Sequence, residues 1–294
     1  MASCSSIQFG YFLTPQTGDY RQLLEKARLA ERLGLDLIGV QDHPYQPRFF
    51  DTWTLISALA AQTERLRFFP DVANLPLRPP AMLAKAAASL DQITSGRIDL
   101  GLGAGYFWDG IAALGGPRRQ PGDAVDAVEE AIHVCRLMWS GERSVAFEGK
   151  HYELGGAKPG PEPAHPIEIW LGAIHNRMLA LTGMLCDGWI PSSPYVPPDQ
   201  LNEKNRRIDE AAADAGRDPG KIRRLYNVMG LITDGETGDY LKGPVDRWVE
   251  ELVRLAAEDG MDTFLFAPSE ATDDQLRLFA EEVVPEVRSQ LETR

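Results

Sequence analysis

The sequence contains only three cysteines, Cys4, Cys135 and Cys186, and they lie far apart in the chain. They form no C-x-x-C pair, which argues against a disulfide framework and a cysteine zinc site and is typical of a reducing compartment. The five histidines include no H-x-x-x-H pair, and no carboxylate cluster supplies hard ligands, so we expect no metal. A G-x-S-x-G motif is also absent, so serine hydrolysis has no support.

The chain also lacks a long apolar segment and an excess of basic residues. No run of about 18 apolar residues can cross a membrane, and the first residues have neither the basic region nor the apolar core of a signal peptide. The formal net charge of −13 disfavours nucleic acid and anionic membranes as partners. With 44% hydrophobic and 25% charged residues, the 294-residue chain is expected to be a globular cytoplasmic protein with a small-molecule substrate.

Apolar strands alternate with amphipathic helices at a repeat of about 30 residues, which predicts parallel strands joined by right-handed crossovers. Eight strands and eight principal helices predict a (β/α)8 TIM barrel, formed as a single domain over residues 1–294. A doubly wound sheet is the alternative, and it is disfavoured because the dinucleotide fingerprint G-x-G-x-x-G is missing. The predicted strands cover residues 7–13, 37–40, 66–69, 98–102, 167–171, 188–190, 224–232 and 263–266.

The regular alternation pauses after the fourth predicted strand. Residues 106–166 hold a predicted helix at 123–139, a small hairpin at 144–154 and a stretch rich in glycine and proline at 155–166. The non-helical part has too few apolar residues to build a second core. We therefore interpret 106–166 as an insertion in the barrel.

Ligands of such barrels bind at the carboxyl ends of the strands. His43 follows the second predicted strand, and it is the strongest acid–base candidate because histidine titrates nearest to neutral pH. Pro44 favours an extended conformation of His43, which helps to aim its ring at the mouth of the barrel. The adjacent Asp42 points to the opposite face of the strand and need not orient His43 directly.

Two other strand ends carry candidate binding segments. Glycine occupies every second position of 101–105, so either tight packing inside the barrel or a flat ligand accounts for it. Residues 172–177 precede a helix whose free N–H groups favour an anion, with Asn176 as N-cap and Arg177 suited to bind a phosphate. An ordinary capped helix with a surface arginine is equally compatible. The aromatic residues near the strand ends either line a flat ring or pack in the core: Tyr11, Tyr45, Tyr106, Phe107, Trp108 and Trp189.

A series of short motifs, taken together and in order, resembles the bacterial luciferase-like superfamily. The resemblance covers nearly the whole chain, although any single motif is weak. The motifs are FGYF at 9–12, QDH at 41–43, NLPLRPP at 74–80, SGRIDLGLGAG at 95–105, WSGE at 139–142, FEGKHY at 147–152, IWLGA at 169–173 and CDGW at 186–189.

This resemblance implies a (β/α)8 barrel that is usually a homodimer, with an insertion after strand 4 that covers the site. It also implies FMN or the deazaflavin F420 as the cofactor at the mouth. The Asp42-His43 pair is more similar to the F420-dependent branch, since FMN-dependent monooxygenases often carry Glu-His there. We therefore predict Asp42 and His43 as catalytic residues, with His43 near the reactive carbon of the deazaflavin.

The resemblance also implies which residues contact the cofactor. Val72, Ala73 and Asn74 match a segment that holds a non-prolyl cis peptide behind the ring. Tyr106 stands where glucose-6-phosphate dehydrogenases of this branch carry a glutamate proton donor, which disfavours sugar phosphate oxidation and leaves the substrate open. The further residues expected around the ring and the phosphoribityl tail are Ala104, Gly105, Tyr106, Gly172, Ala173, Asn176 and Arg177.

The resemblance thus favours an F420-dependent oxidoreductase that transfers a hydride between the deazaflavin and a small organic substrate. Two alternatives stay open. One is an FMN-dependent luciferase-like monooxygenase that uses O2 and a reductase partner. The other is a flavin-binding protein without catalysis.

Overall fold

The structure is a computed structural model, and it describes residues 7–235 and 237–293. Cys4 lies outside the described residues. The strands are β1 (Gln8–Leu13), β2 (Leu37–Val40), β3 (Arg67–Pro70), β4 (Ala73–Asn74), β5 (Leu100–Gly103), β6 (Val145–Glu148), β7 (Glu153–Ala157), β8 (Ile169–Leu171), β9 (Gly188–Trp189), β10 (Arg223–Ile232), β11 (Lys242–Gly243) and β12 (Thr263–Pro268).

The α-helices follow the strands in the order that the sequence predicts. Asp19 and Asp51 accept backbone N–H groups at the starts of the first two helices, and Thr272 does so at the ninth. The helices are α1 (Tyr20–Arg32), α2 (Thr52–Ala60), α3 (Pro80–Thr94), α4 (Trp108–Ala113), α5 (Pro121–Met138), α6 (Asn176–Leu185), α7 (Leu201–Asp214), α8 (Val245–Ala257), α9 (Asp273–Leu278) and α10 (Val284–Glu292).

Nine parallel strands form a nearly closed barrel in the order β3-β2-β1-β12-β10-β9-β8-β5-β4. Because β3 and β4 are successive parts of one stretch, the sheet starts and ends on the same segment of chain. A further parallel bridge from Phe68 to Ile98 links β3 to the residues before β5. The predicted TIM barrel is confirmed. Its eight strand positions hold nine strands, because β3 and β4 together form the third position.

Apolar side chains fill both faces of this sheet, as expected for parallel strands that are covered by helices. One large cluster packs between the strands and the helices. The interior of the barrel holds a second, fully apolar set, which we call the inner cluster: Leu37, Phe69, Trp170, Ile190, Leu225 and Leu265. Within it, the rings of Phe69 and Trp170 meet edge to face at 4.8 Å between centroids.

The stretch predicted as an insertion, 106–166, contains α4, α5 and the antiparallel pair β6–β7. That it covers the site stays a prediction. Of the two alternatives for the aromatic residues, Tyr11 and Trp189 take the core position, since both side chains are buried in the outer cluster between strands and helices. In the part of the chain that the structure describes, no helix is long and apolar enough to cross a membrane.

Candidate active site

The floor of the barrel mouth lies directly above the inner cluster, and we define it by five residues: Phe12, Asp71, Val72, Ser192 and Asn227. Phe12 and Val72 are partly buried and pack against the inner cluster. Asn227 reaches both Ser192 and Asp71 through its side-chain amide. Because β3 and β10 are separated by three other strands, the contact between Asp71 and Asn227 spans the barrel interior. The floor therefore combines an apolar part with a polar part.

Val72 fills the space that three glycines leave open. A Cβ atom would lie 2.6 Å from a Val72 methyl group at Gly103, 3.1 Å at Gly172 and 3.2 Å at Gly101. Side chains at these positions would displace Val72, so the alternating glycines serve close packing within the barrel. Gly105 packs differently, with a would-be Cβ 2.7 Å from the ring of Pro76. Val72 itself stays partly exposed at the mouth.

A non-prolyl cis peptide joins Asp71 and Val72, immediately before the predicted segment 72–74. In that segment Ala73 packs in the outer cluster, whereas Asn74 is buried at the mouth end of β4. The side-chain Oδ1 atom of Asn74 is buried and has no hydrogen-bond partner among the described residues. Asn74 thus offers a buried acceptor atom at the mouth.

Asp71 is buried, with 7% of its surface exposed. Its Oδ1 atom accepts a hydrogen bond of 3.3 Å from the Asn227 amide, whereas no described residue donates to Oδ2. Burial raises the pKa of this carboxyl to about 7, and the hydrogen bond from Asn227 opposes the rise only in part. Asp71 therefore titrates near neutral pH.

Asp42 is held by an arginine that the sequence did not mark. Arg78 donates from Nε to Oδ2 at 2.7 Å and from Nη2 to Oδ1 at 2.8 Å. The backbone N–H of Asn74 donates to the same carboxylate at 2.8 Å, and Arg78 also pairs with Asp51 at 2.6 Å. Asp42 thus fixes the chain at β4 through the N–H of Asn74. Its predicted catalytic role stays a prediction.

His43 follows β2 at the mouth of the barrel, and its side chain is half-buried. Its ring stacks on Tyr45 at 5.4 Å, and Tyr45 meets Phe107 edge to face at 5.2 Å. Burial lowers the pKa of His43 below its usual value, against a smaller opposing effect of the Asp42 charge. The Gln41 amide nitrogen lies 3.2 Å from Nδ1. With Gln41 donating there, the neutral ring carries its proton on Nε2.

Residues 104–107 follow β5, and their exposure increases along the segment. Ala104 and Gly105 are half-buried, whereas Tyr106 is 82% exposed and Phe107 is 50% exposed. The Tyr106 side chain therefore contributes an exposed ring at the rim. Contact between these residues and a cofactor stays a prediction.

The segment 172–177 leads from β8 into α6. The Ala173 carbonyl accepts from the Trp189 indole at 2.9 Å, which ties this segment to β9. Asn176 is the first residue of α6, and His175 occupies the N-cap without a side-chain hydrogen bond, so the predicted N-cap was wrong by one residue. Arg177 is exposed and pairs with Asp126 at 2.8 Å. Within 7–235 and 237–293, no side chain accepts from the first N–H groups of α6, and free N–H groups of this kind are a property of anion sites.

Among the described residues, the structure brings one group of metal-ligating side chains together, and none of its members belongs to the floor. Asp123, Asp126 and His151 have ligand atoms within 4.8 Å of one another. Lys150 forms an ion pair with Asp123, and Arg177 forms one with Asp126, so cations of the chain already compensate these carboxylates. The expectation that the protein binds no metal stays a prediction.

Sequence reasoning missed two residues that build the site. Arg78 lies 36 positions from Asp42, and no local pattern links the two. Asn227 was detectable as a polar residue in the middle of the apolar run LYNVMGLI, where period-two alternation places it on the face of Leu225 and Met229. A buried polar residue in such a run indicates a packed hydrogen bond or a ligand.

Comparisons with known proteins agree with the barrel fold. An F420-dependent glucose-6-phosphate dehydrogenase of Nakamurella multipartita is 29% identical over an alignment of 335 positions, covering 96% of this chain and 97% of the relative. An F420-dependent secondary alcohol dehydrogenase with an F420–acetone adduct superposes with a TM-score of 0.84 at 20% identity, covering 96% and 99% of the two chains. A riboflavin lyase with modified FMN and riboflavin superposes with a TM-score of 0.84 at 17% identity, covering 97% of this chain and 92% of the lyase.

The model of the luciferase-like monooxygenase family matches residues 3–237, which is most of the chain. The matched region includes the floor, the Asp42–Arg78 pair and both candidate binding segments. The chain is therefore an oxidoreductase that belongs to the luciferase-like monooxygenase family.

Proposed function

We propose that the protein is an F420-dependent oxidoreductase that transfers a hydride between the deazaflavin and a small organic substrate. The relative and the solved structure that are named for F420 support this cofactor over FMN. The observation that carries the proposal is the combination of the partly exposed Val72 surface with the half-buried imidazole of His43 at the mouth.

This arrangement fits a flat ring, since a ring that lies on Val72 would bury apolar surface there. Bound deazaflavin supplies a carbon centre that takes up or releases a hydride. The first N–H groups of α6 would hold the phosphate of its tail, which keeps Asn176 and Arg177 as proposed cofactor contacts.

His43 supplies the polar group on the substrate side in this proposal. Its neutral imidazole carries the proton on Nε2, since Gln41 binds Nδ1. This N–H would donate a hydrogen bond to the oxygen atom of a carbonyl substrate and stabilise the negative charge that develops there, and a proton from solvent would complete the alcohol. Asp42 and Arg78 act as positioning residues, because their ion pair fixes the chain at Asn74 beside the floor.

Side-by-side titrations with F420 and FMN, followed by tryptophan fluorescence, test the cofactor. We expect tight binding of F420 and weaker binding of FMN. Turnover is then measured with reduced F420 and a panel of small ketones and aldehydes. We expect His43→Ala to lower turnover by about 100-fold or more with little change in F420 affinity.

The exposed His133 of α5 provides a matched control. His133→Ala should keep both turnover and affinity. Preference for FMN together with oxygen uptake would replace the proposal with the monooxygenase alternative. Binding without turnover on any substrate, and no effect of His43→Ala, would indicate a flavin-binding protein without catalysis.

A further inference from the structure

The imidazole of His43 is held on two sides by its own segment of chain. The Gln41 amide nitrogen lies 3.2 Å from Nδ1, and Tyr45 stacks on one face of the ring with 5.4 Å between centroids and 19° between planes. The other ring nitrogen, Nε2, has no hydrogen-bond partner among the described residues, yet it is not one of the buried polar atoms that lack a partner. Nε2 therefore keeps accessible surface, whereas Nδ1 is occupied.

The backbone of Gln41 is fixed from two neighbouring elements. Its N–H donates at 3.0 Å to the Leu13 carbonyl at the end of β1. Its carbonyl accepts at 2.7 Å from the buried Thr52 hydroxyl at the start of α2. Side chains two positions apart on an extended segment point to the same side, so Gln41 and His43 share one side. The fold thus presents the amide to the ring.

The hydrogen bond from Gln41 determines where the ring carries its proton. An amide nitrogen can only donate, so Nδ1 has to accept, and the proton of the neutral ring sits on Nε2. A proton on Nδ1 would place two donors against each other. A hydrogen bond to the neutral form disfavours the charged form, and burial lowers the pKa of His43 in the same direction. Gln41 therefore acts on both the tautomer and the charge of His43.

Within the described chain, the charged and titratable groups near His43 leave Nδ1 to its amide partner. The Asp42 charge opposes the effect of burial on the pKa of His43, but Arg78 binds both oxygen atoms of that carboxylate. The pKa of Tyr45 is raised, by burial above all, so its hydroxyl stays neutral. Phe107, which packs on Tyr45 from the segment after β5, carries no charge.

We propose that Gln41 is a positioning residue, which holds His43 in the neutral tautomer whose Nε2–H donates to the substrate oxygen. The substrate in this statement rests on the proposed function, whereas the tautomer is a property of the protein alone. Without the Gln41 amide, the ring exchanges between both tautomers, and only a fraction of the molecules presents the donor. Position 41 therefore sets how many molecules are competent at a given pH.

The first measurement is the nitrogen NMR spectrum of isotopically labelled histidine side chains, in protein without cofactor and from pH 5 to pH 9. The chain has five histidines, and the His43 signals are those absent from His43→Ala. We expect the Nε2–H tautomer at pH 7 and a titration midpoint below the ordinary 6.5. Gln41→Met keeps the length of the side chain but removes the donor, so both tautomers should appear and the midpoint should rise.

Gln41→Glu reverses the hydrogen bond, because a carboxylate can only accept. The neutral ring should then carry its proton on Nδ1, and the midpoint should rise by about one to three pH units. Such a ring has an N–H at Nε2 only when it is protonated. Between pH 6 and one unit above the midpoint of the variant, turnover relative to wild type should therefore fall about tenfold. This ratio cancels any titration of F420 itself.

The exposed Gln46 provides the matched control. Gln46→Glu adds the same charge to the same loop, and it should keep the Nε2–H tautomer and a turnover ratio that is independent of pH. A Gln41→Glu variant that matches Gln46→Glu in tautomer and pH profile would overturn the proposal. An Nδ1–H tautomer in wild-type protein would do so too, since the amide would then accept through its oxygen.

The spectra decide the proposal without cofactor, so its failure is distinguishable from that of the proposed function. Absence of binding to both F420 and FMN would overturn the proposed function and leave the tautomer assignment standing. Should neither variant at position 41 fold, the wild-type titration decides. An Nε2–H tautomer with a midpoint below 6.5 then supports the proposal, and any other result overturns it.

Discussion

The buried carboxyl of Asp71 makes the stability of the protein depend on pH in a predictable direction. The ordinary pKa of an aspartate is 3.8, whereas burial raises that of Asp71 to about 7 in the folded protein. Between these two values the unfolded chain has lost the proton and the folded chain keeps it, so the free energy of unfolding falls as the pH rises. Each pH unit in this window costs about 1.4 kcal/mol. The full loss between pH 4 and pH 8 is therefore at most about 4 kcal/mol.

Asp71→Asn isolates this contribution, since asparagine keeps the hydrogen bond geometry and carries no titrating proton. Urea unfolding of wild-type protein and the variant should be measured at pH 4, 5, 6, 7 and 8, in the absence of cofactor. We expect the stability of the variant relative to wild type to rise steadily up to about pH 7 and then to level off. Because Asp71 has 7% of its surface exposed, some water reaches it and a rise of 2–4 kcal/mol is the realistic range.

The exposed Asp214 at the end of α7 provides the control. Asp214→Asn should show a difference from wild type that changes by less than about 0.5 kcal/mol over the same range. A flat difference for Asp71→Asn would refute the reasoning, because it would mean that Asp71 ionises in the folded state as readily as in the unfolded state. A difference that falls with rising pH would mean that an unrecognised cation stabilises the carboxylate.

Two further substitutions test the packing of the site. Arg78→Met leaves the buried Asp42 carboxylate with only the Asn74 N–H, and we expect a loss of about 3–5 kcal/mol in urea unfolding. The double variant with Asp42→Asn should lose less than the sum of the two single changes; additive losses would contradict the ion pair. Gly103→Ala places a Cβ 2.6 Å from a Val72 methyl group, and we expect a loss of about 1–3 kcal/mol. Val72→Ala in that background should recover part of the loss, and no recovery would show that the strain lies elsewhere.

The barrel was predictable because most element boundaries carry local signals. Asp19 and Thr272 are of residue types that favour helix N-caps, and both cap their helices. The all-apolar LIGV of β2 indicates a strand that is buried on both faces. The same property limits the prediction. When both faces of a strand are apolar, the sequence does not show which residues point inward. This is why the sequence left open whether Tyr11 and Trp189 line the mouth or pack in the core, where the structure places them.

The site was predictable where a residue type is chemically rare and its position is fixed by the fold. His43, Val72 and Asn74 lie at or after strand ends, and the structure places them at the mouth, whereas Ala73 packs in the outer cluster. The partners of these residues were not predictable, since Arg78 meets Asp42 only through the tertiary fold. The predicted homodimer and the cytoplasmic location stay predictions.

Alternation along a strand would place Asp71 and Val72 on opposite faces, yet both side chains lie inside the barrel where the chain passes from β3 to β4. The floor therefore receives an acid and an apolar surface from adjacent residues. Arg78 binds both carboxylate oxygen atoms of Asp42. His43 gains a positive charge below its lowered pKa, and Asp71 gains a negative charge above about 7. Between these limits both groups are neutral. Asp71 Oδ2 is buried without accessible surface, so of the two groups the half-buried His43 is the one whose N–H can reach a bound molecule.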